Sequence, residues 1–263
     1  MTAEALPDEL RGTLAQTATT PRLLVACDFD GTLAPIVADP AAASPLPESV
    51  AALRSLAGLR ETTVAVISGR ARHDLAELSG LSGLLDDVHL VGSHGSEFDA
   101  DFVQELPPAA TELRERLIAE LERIVAGRDG VGLEVKPASV AVHVRRADPD
   151  VAEQVLRTVE DGPCRWAGVQ VTGGKAVIEL AVVHTDKGEA LDVLRQRVAA
   201  TTTVFVGDDV TDEKAFQRLR NSDLGIKVGD GDTAATQRVA DPAQVATALE
   251  FLHARRRDWL NRP

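Results

Sequence analysis

Leu23-Leu24-Val25-Ala26-Cys27 runs directly into Asp28-Phe29-Asp30-Gly31-Thr32, and this stretch decides the fold. Five apolar residues without alternation predict a strand that is buried on both faces, as in a parallel sheet. The strand ends abruptly in carboxylates, a glycine and a hydroxyl. Because ligands bind at the carboxyl ends of the strands in open α/β sheets, this ending predicts a functional site.

Three further apolar stretches end in the same manner. They are Thr63–Ile67 before Ser68-Gly69-Arg70, Val88–Val91 before Gly92-Ser93-His94-Gly95, and Thr203–Val206 before Gly207-Asp208-Asp209-Val210-Thr211-Asp212. Helical patterns follow the first two strands, which predicts a βαβαβ order. The sequence therefore predicts a doubly wound, mainly parallel (Rossmann-like) α/β sheet whose polar strand ends meet in one place.

Further core elements are expected from apolar periodicity and from glycine and proline positions. One predicted helix ends near Gly58. The other predicted helices cover Asp74–Leu78, Gly188–Val198 and Pro242–His253. A fifth strand is predicted over Leu224–Val228.

The pattern changes between the third and fourth strands. A helix over Thr111–Ala126 and another over Pro149–Val159 each precede two alternating stretches, which are typical of antiparallel strands with one wet face. The second pair of strands is expected to be joined through Thr172-Gly173-Gly174-Lys175. This predicts an αββαββ domain over residues 98–182, inserted into a core formed by residues 1–97 and 183–263.

Composition limits the classes of partner. The chain has 263 residues, is 44% hydrophobic and carries a formal net charge of −13. Nucleic acids and anionic membranes need a basic surface, so we expect a small-molecule ligand, and we also expect a monomer. The start lacks the features of a secretory signal, and no apolar run approaches the roughly 18 residues of a membrane span. With two cysteines, Cys27 and Cys164, these features predict a cytoplasmic protein.

Lysine is rare in this chain. Of 28 lysine and arginine residues, five are lysines: Lys136, Lys175, Lys187, Lys214 and Lys227. The ammonium group is a compact point charge that a guanidinium does not replace. The five lysines therefore have two interpretations. Either they remain by chance in a composition biased towards arginine, or they stand at positions that need a compact ammonium.

Carboxylates dominate two of the strand ends. Asp28 and Asp30 lie two positions apart, so both are expected to project towards one point. Asp208, Asp209 and Asp212 add more carboxylates at another strand end. Neighbouring carboxylates are unfavourable unless a cation lies between them or one is protonated, and hard oxygen ligands suit Mg²⁺. The sequence therefore predicts a Mg²⁺ site.

The same residues suit phosphoryl chemistry. A carboxylate can act as a nucleophile through a covalent aspartyl-phosphate, and no serine or cysteine hydrolase arrangement competes with it in the sequence. Donors for phosphoryl oxygens are available from Ser68, from the amides around Gly31 and Thr32, and from Lys187 at the start of a predicted helix.

Four motifs resemble, in order and spacing, those of the haloacid dehalogenase-type phosphatases. They are Asp28-Phe29-Asp30-Gly31-Thr32, Ser68-Gly69-Arg70, Lys187, and Gly207-Asp208-Asp209 to Asp212. Within that superfamily, Asp28–Pro35, Gly92–Glu97 and Gly207–Glu213 are similar to the versions found in trehalose-6-phosphate phosphatases. The resemblance covers nearly the whole chain and implies that the inserted αββαββ domain is a lid (cap) that recognises the substrate.

The resemblance implies a role for each motif residue. Asp28 would be the nucleophile and a Mg²⁺ ligand, and Asp30 would be the general acid and base, with its backbone carbonyl on the metal. Asp208 would be the third protein ligand. The supporting residues would be Asp209 and Asp212 behind the metal site, and Gly31, Thr32, Ser68 and Lys187 around the phosphoryl group.

Sugar recognition is assigned to the lid by the same resemblance. The candidates are Glu134, Lys136, Lys175 and Glu179, which share strand faces in pairs by the period of two. A solvated outer face is the competing interpretation for these charges. Outside the lid, Arg70 and His94 either orient the substrate or tie loops together.

The implied activity is Mg²⁺-dependent hydrolysis of trehalose 6-phosphate through an aspartyl-phosphate intermediate. Three alternatives stay open at this point. The first is a phosphatase for another sugar phosphate, such as sucrose phosphate or a mannosyl phosphate. The others are a phosphomutase and a non-catalytic module that binds trehalose phosphate and regulates a synthase.

Overall fold

The computed structural model describes residues 6–81, 88–98, 106–174, 176–183 and 185–262. These residues form two compact units. The first comprises the described residues of Met1–Asp101 and Asp186–Pro263, and the second those of Phe102–Thr185. No helix in the described ranges combines the length and the apolar composition needed to cross a bilayer.

The first unit contains a six-stranded parallel sheet with the order β10-β9-β8-β1-β2-β3. Its strands are β1 (Leu23–Cys27), β2 (Thr62–Ile67), β3 (Val88–Val91), β8 (Thr202–Gly207), β9 (Leu224–Val228) and β10 (Gln237–Val239). Every residue of β1, β2, β8 and β9 is buried. Burial on both faces explains their continuous apolar runs, and the predicted parallel α/β core is confirmed.

Helices connect the strands of this sheet. They are α1 (Asp8–Thr17), α2 (Pro47–Ala57), α3 (Arg72–Ser79), α6 (Lys187–Arg197), α7 (Asp212–Phe216) and α8 (Pro242–Leu260). Helix α6 begins where the Asp186 carboxylate accepts a hydrogen bond from the Glu189 amide at 2.8 Å. This N-terminal cap fixes Lys187 in the first turn, which places its side chain beside the strand ends.

Helix α8 is longer than predicted, and the reason is a buried arginine. The prediction ended the helix at His253, before Arg255-Arg256-Arg257, whereas the helix continues to Leu260. Arg256 is fully buried and donates hydrogen bonds to the carbonyls of Ala18, Thr20, Pro21 and Glu61. Burial lowers the pKa of Arg256 to about 10. These bonds tie helix α8 to the turns before β1 and β2.

Three short elements were not predicted. Helix α1, helix α7 and strand β10 are 10, 5 and 3 residues long. The last two are too short for a periodic pattern, and α1 carries few large apolar residues, with Leu10 and Leu14 buried on one face. Their positions are set by tertiary packing, which local patterns do not encode.

The second unit has the order α4 (Pro108–Val125), β4 (Gly132–Val135), β5 (Ser139–His143), α5 (Pro149–Asp161), β6 (Gln170–Gly174) and β7 (Val177–Ala181). Its strands form an antiparallel sheet with the order β4-β5-β7-β6. The apolar faces of α4 and α5 pack on this sheet, with Leu117, Leu121 and Val155 fully buried. The αββαββ order therefore matches the pattern of the sequence.

The connection between β6 and β7 was predicted too long. Thr172, Gly173 and Gly174 belong to β6 and pair with Glu179, Ile178 and Val177 of β7. All five residues of β6 are exposed, so this edge strand lacks the apolar alternation that would have marked it. Lys175 lies outside the described residues.

Candidate active site

The carboxyl ends of β8, β1 and β2 lie side by side because these strands are neighbours in the sheet. Asp28 follows β1, Ser68 follows β2 and Asp208 follows β8. Parallel pairing in register, with Cys27 opposite both Val66 and Val206, brings the three strand ends to the same level. The strand order therefore brings the predicted motifs together at one edge of the sheet.

Asp28 is the most enclosed carboxylate of this cluster. It is 4% exposed, and its amide donates to the Val206 carbonyl at 2.8 Å, which ties the start of its loop to β8. One carboxylate oxygen, Oδ1, accepts a hydrogen bond from Lys187 Nζ at 2.7 Å. The Phe29 amide also hydrogen-bonds to this carboxylate, and the oxygen that Lys187 does not bind is the candidate for a reaction or a metal.

Lys187 joins Asp28 to Asp212. Its ammonium is buried and lies 2.8 Å from Asp212 Oδ1. Asp212 Oδ2 accepts the amide hydrogens of Asp208 and Asp209 at 2.9 and 3.0 Å. Both oxygens of Asp212 are therefore engaged, which suits a residue that shapes the loop rather than one that binds a ligand.

Two glycines allow the loops to approach this closely. Gly31 has a φ of +81°, and a Cβ on it would lie 2.1 Å from Asp208 Oδ2. A Cβ on Gly207 would lie 2.3 Å from the carboxyl carbon of Asp212. Any side chain at either position would displace a carboxylate of the cluster, so both glycines are required by contact.

The electrostatics of this cluster favour either protonation of its carboxyl groups or the binding of a further cation. Burial raises the pKa of Asp28 to about 7, against the opposing charge of Lys187. Burial and the charge of Asp28 raise the pKa of Asp212 to about 7, and burial with the charge of Asp212 raises that of Asp208 to about 6. Burial opposes the charged form of Lys187, but the two carboxylates outweigh it and raise its pKa. One ammonium cannot neutralise three carboxylates, and the ionised cluster has a net charge of −2.

A divalent cation fits this arrangement. Oxygen atoms of Asp28, Asp208 and Asp212 lie within 4.8 Å of one another. Asp208 Oδ1 is buried and has no hydrogen-bond partner among the described residues, so it offers a free ligand atom. Carboxylate oxygens are ligands that hard divalent cations prefer, and a charge of +2 balances the cluster. Asp28 and Asp208 are the residues free to bind it, with Asp212 held behind them.

The raised pKa values predict how stability depends on pH in the metal-free protein. Because these carboxyl groups hold protons more tightly in the folded than in the unfolded state, the unfolding free energy should fall as pH rises from about 4 to about 7. The slope contributed by one proton is at most about 1.4 kcal/mol per pH unit. Urea unfolding across this range, with chelator and with saturating Mg²⁺, measures it. A stabilisation by Mg²⁺ that is no larger at about pH 8 than at about pH 5 would contradict the assignment.

Asp30 does not face the cluster with a free carboxylate. Arg70 Nε and Nη2 donate to its two oxygens, both at 2.6 Å, in a bidentate pair. The Arg70 guanidinium also lies over the Phe29 ring, 5.5 Å from its centre. The hydrogen bond with Asp30 raises the pKa of Arg70, against burial. Arg70 therefore orients Asp30, which agrees with the loop-tying interpretation of this arginine; a contact with substrate stays a prediction.

The remaining phosphate-site candidates lie around the same strand ends. Ser68 is 1% exposed, and its Oγ accepts the Arg70 amide at 3.2 Å. His94 has a positive φ of 54° and donates its amide to the Ser68 carbonyl at 2.9 Å. Thr32 is fully buried, and its hydroxyl has no hydrogen-bond partner in the described ranges. Its side chain therefore packs inside the protein, and the backbone amide is the group that could reach a phosphate.

Asp209 shapes the loop after β8. Its Oδ1 accepts hydrogen bonds from the Thr211 amide and hydroxyl at 2.8 and 2.7 Å. Burial opposes ionisation, but these bonds dominate and lower the pKa of Asp209. The carboxylate thus favours its ionised form and holds the loop, and its supporting role beside a metal stays a prediction.

The sugar-site candidates of the second unit form two pairs. Lys136 Nζ lies 3.3 Å from Glu179 Oε1, and Lys136 is buried rather than on an open strand face. Ser139, fully buried, donates to the same Glu179 oxygen at 2.5 Å. Glu134 contacts His143 Nε2 at 2.9 Å, and both are half exposed. The fourth candidate, Lys175, lies outside the described residues.

Sequence reasoning gave no role to two residues that contact these sites. Ser139 binds Glu179 across the sheet, and Lys227 donates to the Asp208 carbonyl. Lys227 could have been found as a lysine inside an apolar strand, Leu224–Val228, where a charge needs a reason. A serine in a turn carries no comparable signal.

Relatives of this chain include enzymes with a stated activity. The family model described as trehalose-phosphatase matches residues 26–245. The trehalose-phosphate phosphatase of Mycobacterium marinum is 37% identical over 243 residues, which are 87% of this chain and 60% of that protein. The one from Mycobacterium tuberculosis H37Ra is 35% identical over 263 residues, 94% of this chain and 66% of that protein.

Solved structures of trehalose-6-phosphate phosphatases are also similar to this chain. The trehalose-6-phosphate phosphatase of Aspergillus fumigatus, in crystal form 3, superposes with a TM-score of 0.62 at 26% identity, covering 96% of this chain and 99% of that one. The chain spans about 60% of the length of the first curated relatives it matches. The family match covers most of the chain and includes the whole carboxylate cluster. On this evidence the chain belongs to the trehalose-phosphatase family.

Proposed function

We propose that this protein is a Mg²⁺-dependent phosphatase that hydrolyses trehalose 6-phosphate to trehalose and inorganic phosphate. The observation that carries the proposal is the cluster of buried Asp28, Lys187 and Asp212 with partly buried Asp208 in a chain of this family. Bound Mg²⁺ would supply positive charge beside the phosphoryl oxygens and neutralise the carboxylates. Asp28, Asp208 and the backbone carbonyl of Asp30 are the proposed ligands.

In the first step, the free oxygen of Asp28 attacks phosphorus. An Asp–O–P bond forms, the ester bond to the sugar oxygen breaks, and protonated Asp30 gives its proton to that oxygen. Lys187 holds the other oxygen of Asp28 at 2.7 Å, so the attacking oxygen has a fixed direction. Ser68, Lys187 and the amides after Gly31 are the proposed donors that stabilise phosphoryl charge.

In the second step, a water molecule attacks the same phosphorus. Ionised Asp30 takes a proton from the water, the bond between phosphorus and the Asp28 oxygen breaks, and inorganic phosphate leaves. Asp30 ends the cycle protonated and Asp28 ends it as a carboxylate. The sugar oxygen leaves and the water arrives on the same side of phosphorus, opposite Asp28, so a single group on that side can act first as acid and then as base.

The pair between Asp30 and Arg70 has a consequence for the first step. Both carboxylate oxygens of Asp30 accept hydrogen bonds from the Arg70 guanidinium, and a charge-assisted bidentate pair of this kind fixes the orientation of the carboxylate. To act as the acid, Asp30 must be protonated and must release at least one bond to Arg70. We propose that substrate binding triggers this release.

The second unit is proposed as the lid that recognises the sugar. Buried Lys136 with Glu179, and half-exposed Glu134 with His143, offer charged donors and acceptors to sugar hydroxyls. The boundaries proposed for it, residues 98–182, lie close to those of the compact unit, Phe102–Thr185. Lys175 remains a proposed contact from the sequence pattern alone.

Phosphate release from purified protein tests this proposal. We expect trehalose 6-phosphate to be turned over at least about tenfold more efficiently than sucrose phosphate, mannosyl phosphates and hexose phosphates, which corresponds to about 1.4 kcal/mol of selective transition-state binding. EDTA should remove the activity, and excess Mg²⁺ should restore it. A tenfold preference for another ester would change the substrate. An isomeric product without free phosphate would indicate a mutase, and binding without turnover would indicate a regulatory module.

A further inference from the structure

Lys227 is a buried ammonium that has no carboxylate partner among the described residues. It lies in β9, is 5% exposed, and sits opposite Gly207 in the pairing of β9 with β8. In the part of the chain that the structure describes, no ion pair involves its Nζ. Burying a charge without a counter-charge is costly, so an apolar residue would be expected in its place unless the ammonium has a task.

The contacts of Lys227 identify that task. Its Nζ donates hydrogen bonds to the carbonyl of Asp208 and, at 2.8 Å, to that of Val228. Asp208 is the first residue after β8, and Val228 is the last residue of β9. The ammonium therefore joins the two loops that leave adjacent strands at the edge where the carboxylates gather.

Asp208 is thereby fixed on three sides. Its carbonyl accepts from Lys227, its amide donates to Asp212 Oδ2 at 2.9 Å, and its carboxylate lies against the α-carbon of Gly31. The carboxylate itself keeps one buried oxygen without a hydrogen bond among the described residues. The backbone is restrained while the ligand atom stays open, as a metal-binding loop requires.

We propose that Lys227 is a positioning residue that holds the Asp208 loop in the geometry that binds the divalent cation. The inference rests on the metal site of the proposed function and extends it to a residue outside the motifs. A neutral isostere would remove the donor to both carbonyls, and the peptide after Asp208 would keep only the bond from the Asp209 amide to Asp212 as a restraint. The Asp208 carboxylate would then lose its direction towards Asp28.

Calorimetric titration of metal-free protein with Mg²⁺, without substrate, tests this. Lys227→Met should weaken Mg²⁺ binding by about 10- to 100-fold, the range seen when groups behind metal ligands are removed. Lys214→Met, an exposed lysine of α7, is the matched control and should bind within about twofold of the unmodified protein. A folded Lys227→Met variant with unchanged Mg²⁺ affinity would overturn the proposal, even if it were less stable.

A second measurement needs no substitution at Lys227. With lysine labelled by ¹⁵N, the Nζ of Lys227 should give a signal protected from solvent exchange, identified by its proximity to β8, and this signal should shift when Mg²⁺ binds. An unchanged signal would contradict the role. Failure of the wild type to bind Mg²⁺ would remove both this inference and the metal site. Intact Mg²⁺ binding without hydrolysis of trehalose 6-phosphate would remove the proposed substrate alone.

Discussion

Asp28→Asn is expected to lower turnover by at least about 10⁴-fold, because the amide cannot form the covalent bond to phosphorus. The stability of the folded protein should not fall along with its turnover. Asparagine removes the charge of one of three neighbouring carboxylates that have a single ammonium beside them, so repulsion with Asp208 and Asp212 falls. In the metal-free state we therefore expect a melting temperature equal to or above that of the wild type. Loss of activity with retained stability is the signature of a chemical role.

The nucleophile itself can be located by trapping. Acid quenching during turnover should preserve an acyl phosphate, and peptide mapping should place it on residue 28. Asp230→Asn is a suitable control, since Asp230 is exposed in the loop after β9 and should leave turnover within about twofold. An intermediate on another residue, or more than about one per cent of wild-type turnover in Asp28→Asn, would remove the mechanism.

Lys187→Met is expected to damage both activity and stability. The substitution removes the ammonium that lies 2.7 and 2.8 Å from Asp28 and Asp212. Breaking a buried ion pair from one side costs about 3–5 kcal/mol because the remaining charges stay buried and unpaired. Turnover should fall by at least about 10²-fold, since a donor near the phosphoryl group and the orientation of Asp28 are both lost.

The pH dependence of the stability lost in Lys187→Met separates the effect of the missing charge from an effect on packing. Near pH 5 the carboxyl groups with raised pKa values are largely protonated, so the stability penalty of Lys187→Met should shrink; near pH 8 it should be largest. Urea unfolding of both proteins at the two pH values measures this difference. An equal penalty at both would mean that the methionine disturbs packing rather than charge. Lys214→Met again serves as the exposed control.

Apolar patterns in the sequence predicted the strands whose burial depends only on their own residues. Strands β1 and β9 have the predicted bounds because a continuous apolar run between polar residues has one stable environment in a parallel sheet. The strand-end motifs meet because parallel neighbours end at one edge. Their roles in catalysis stay predictions, which the substitutions at Asp28 and Lys187 test.

Contacts between distant segments were outside the reach of such patterns. The hydrogen bond from Arg256 to the Ala18 carbonyl joins residues 238 positions apart. The sequence around Arg256 contains no pattern that predicts its burial. The pair of Lys136 with Glu179 and the bidentate pair of Arg70 with Asp30 likewise depend on how strands and loops are brought together. Charges that seemed to belong to a wet face, such as Lys136, are buried because a partner from another strand satisfies them.

The position of β1 between β2 and β8 also governs when the protein can fold during synthesis. β8 begins at Thr202, so one edge of the central strand has no partner until that distant segment has left the ribosome. Until then the nascent chain exposes an apolar strand edge of the kind that promotes aggregation. Truncated translation products that end before residue 202 should therefore depend on chaperones far more than the finished chain does.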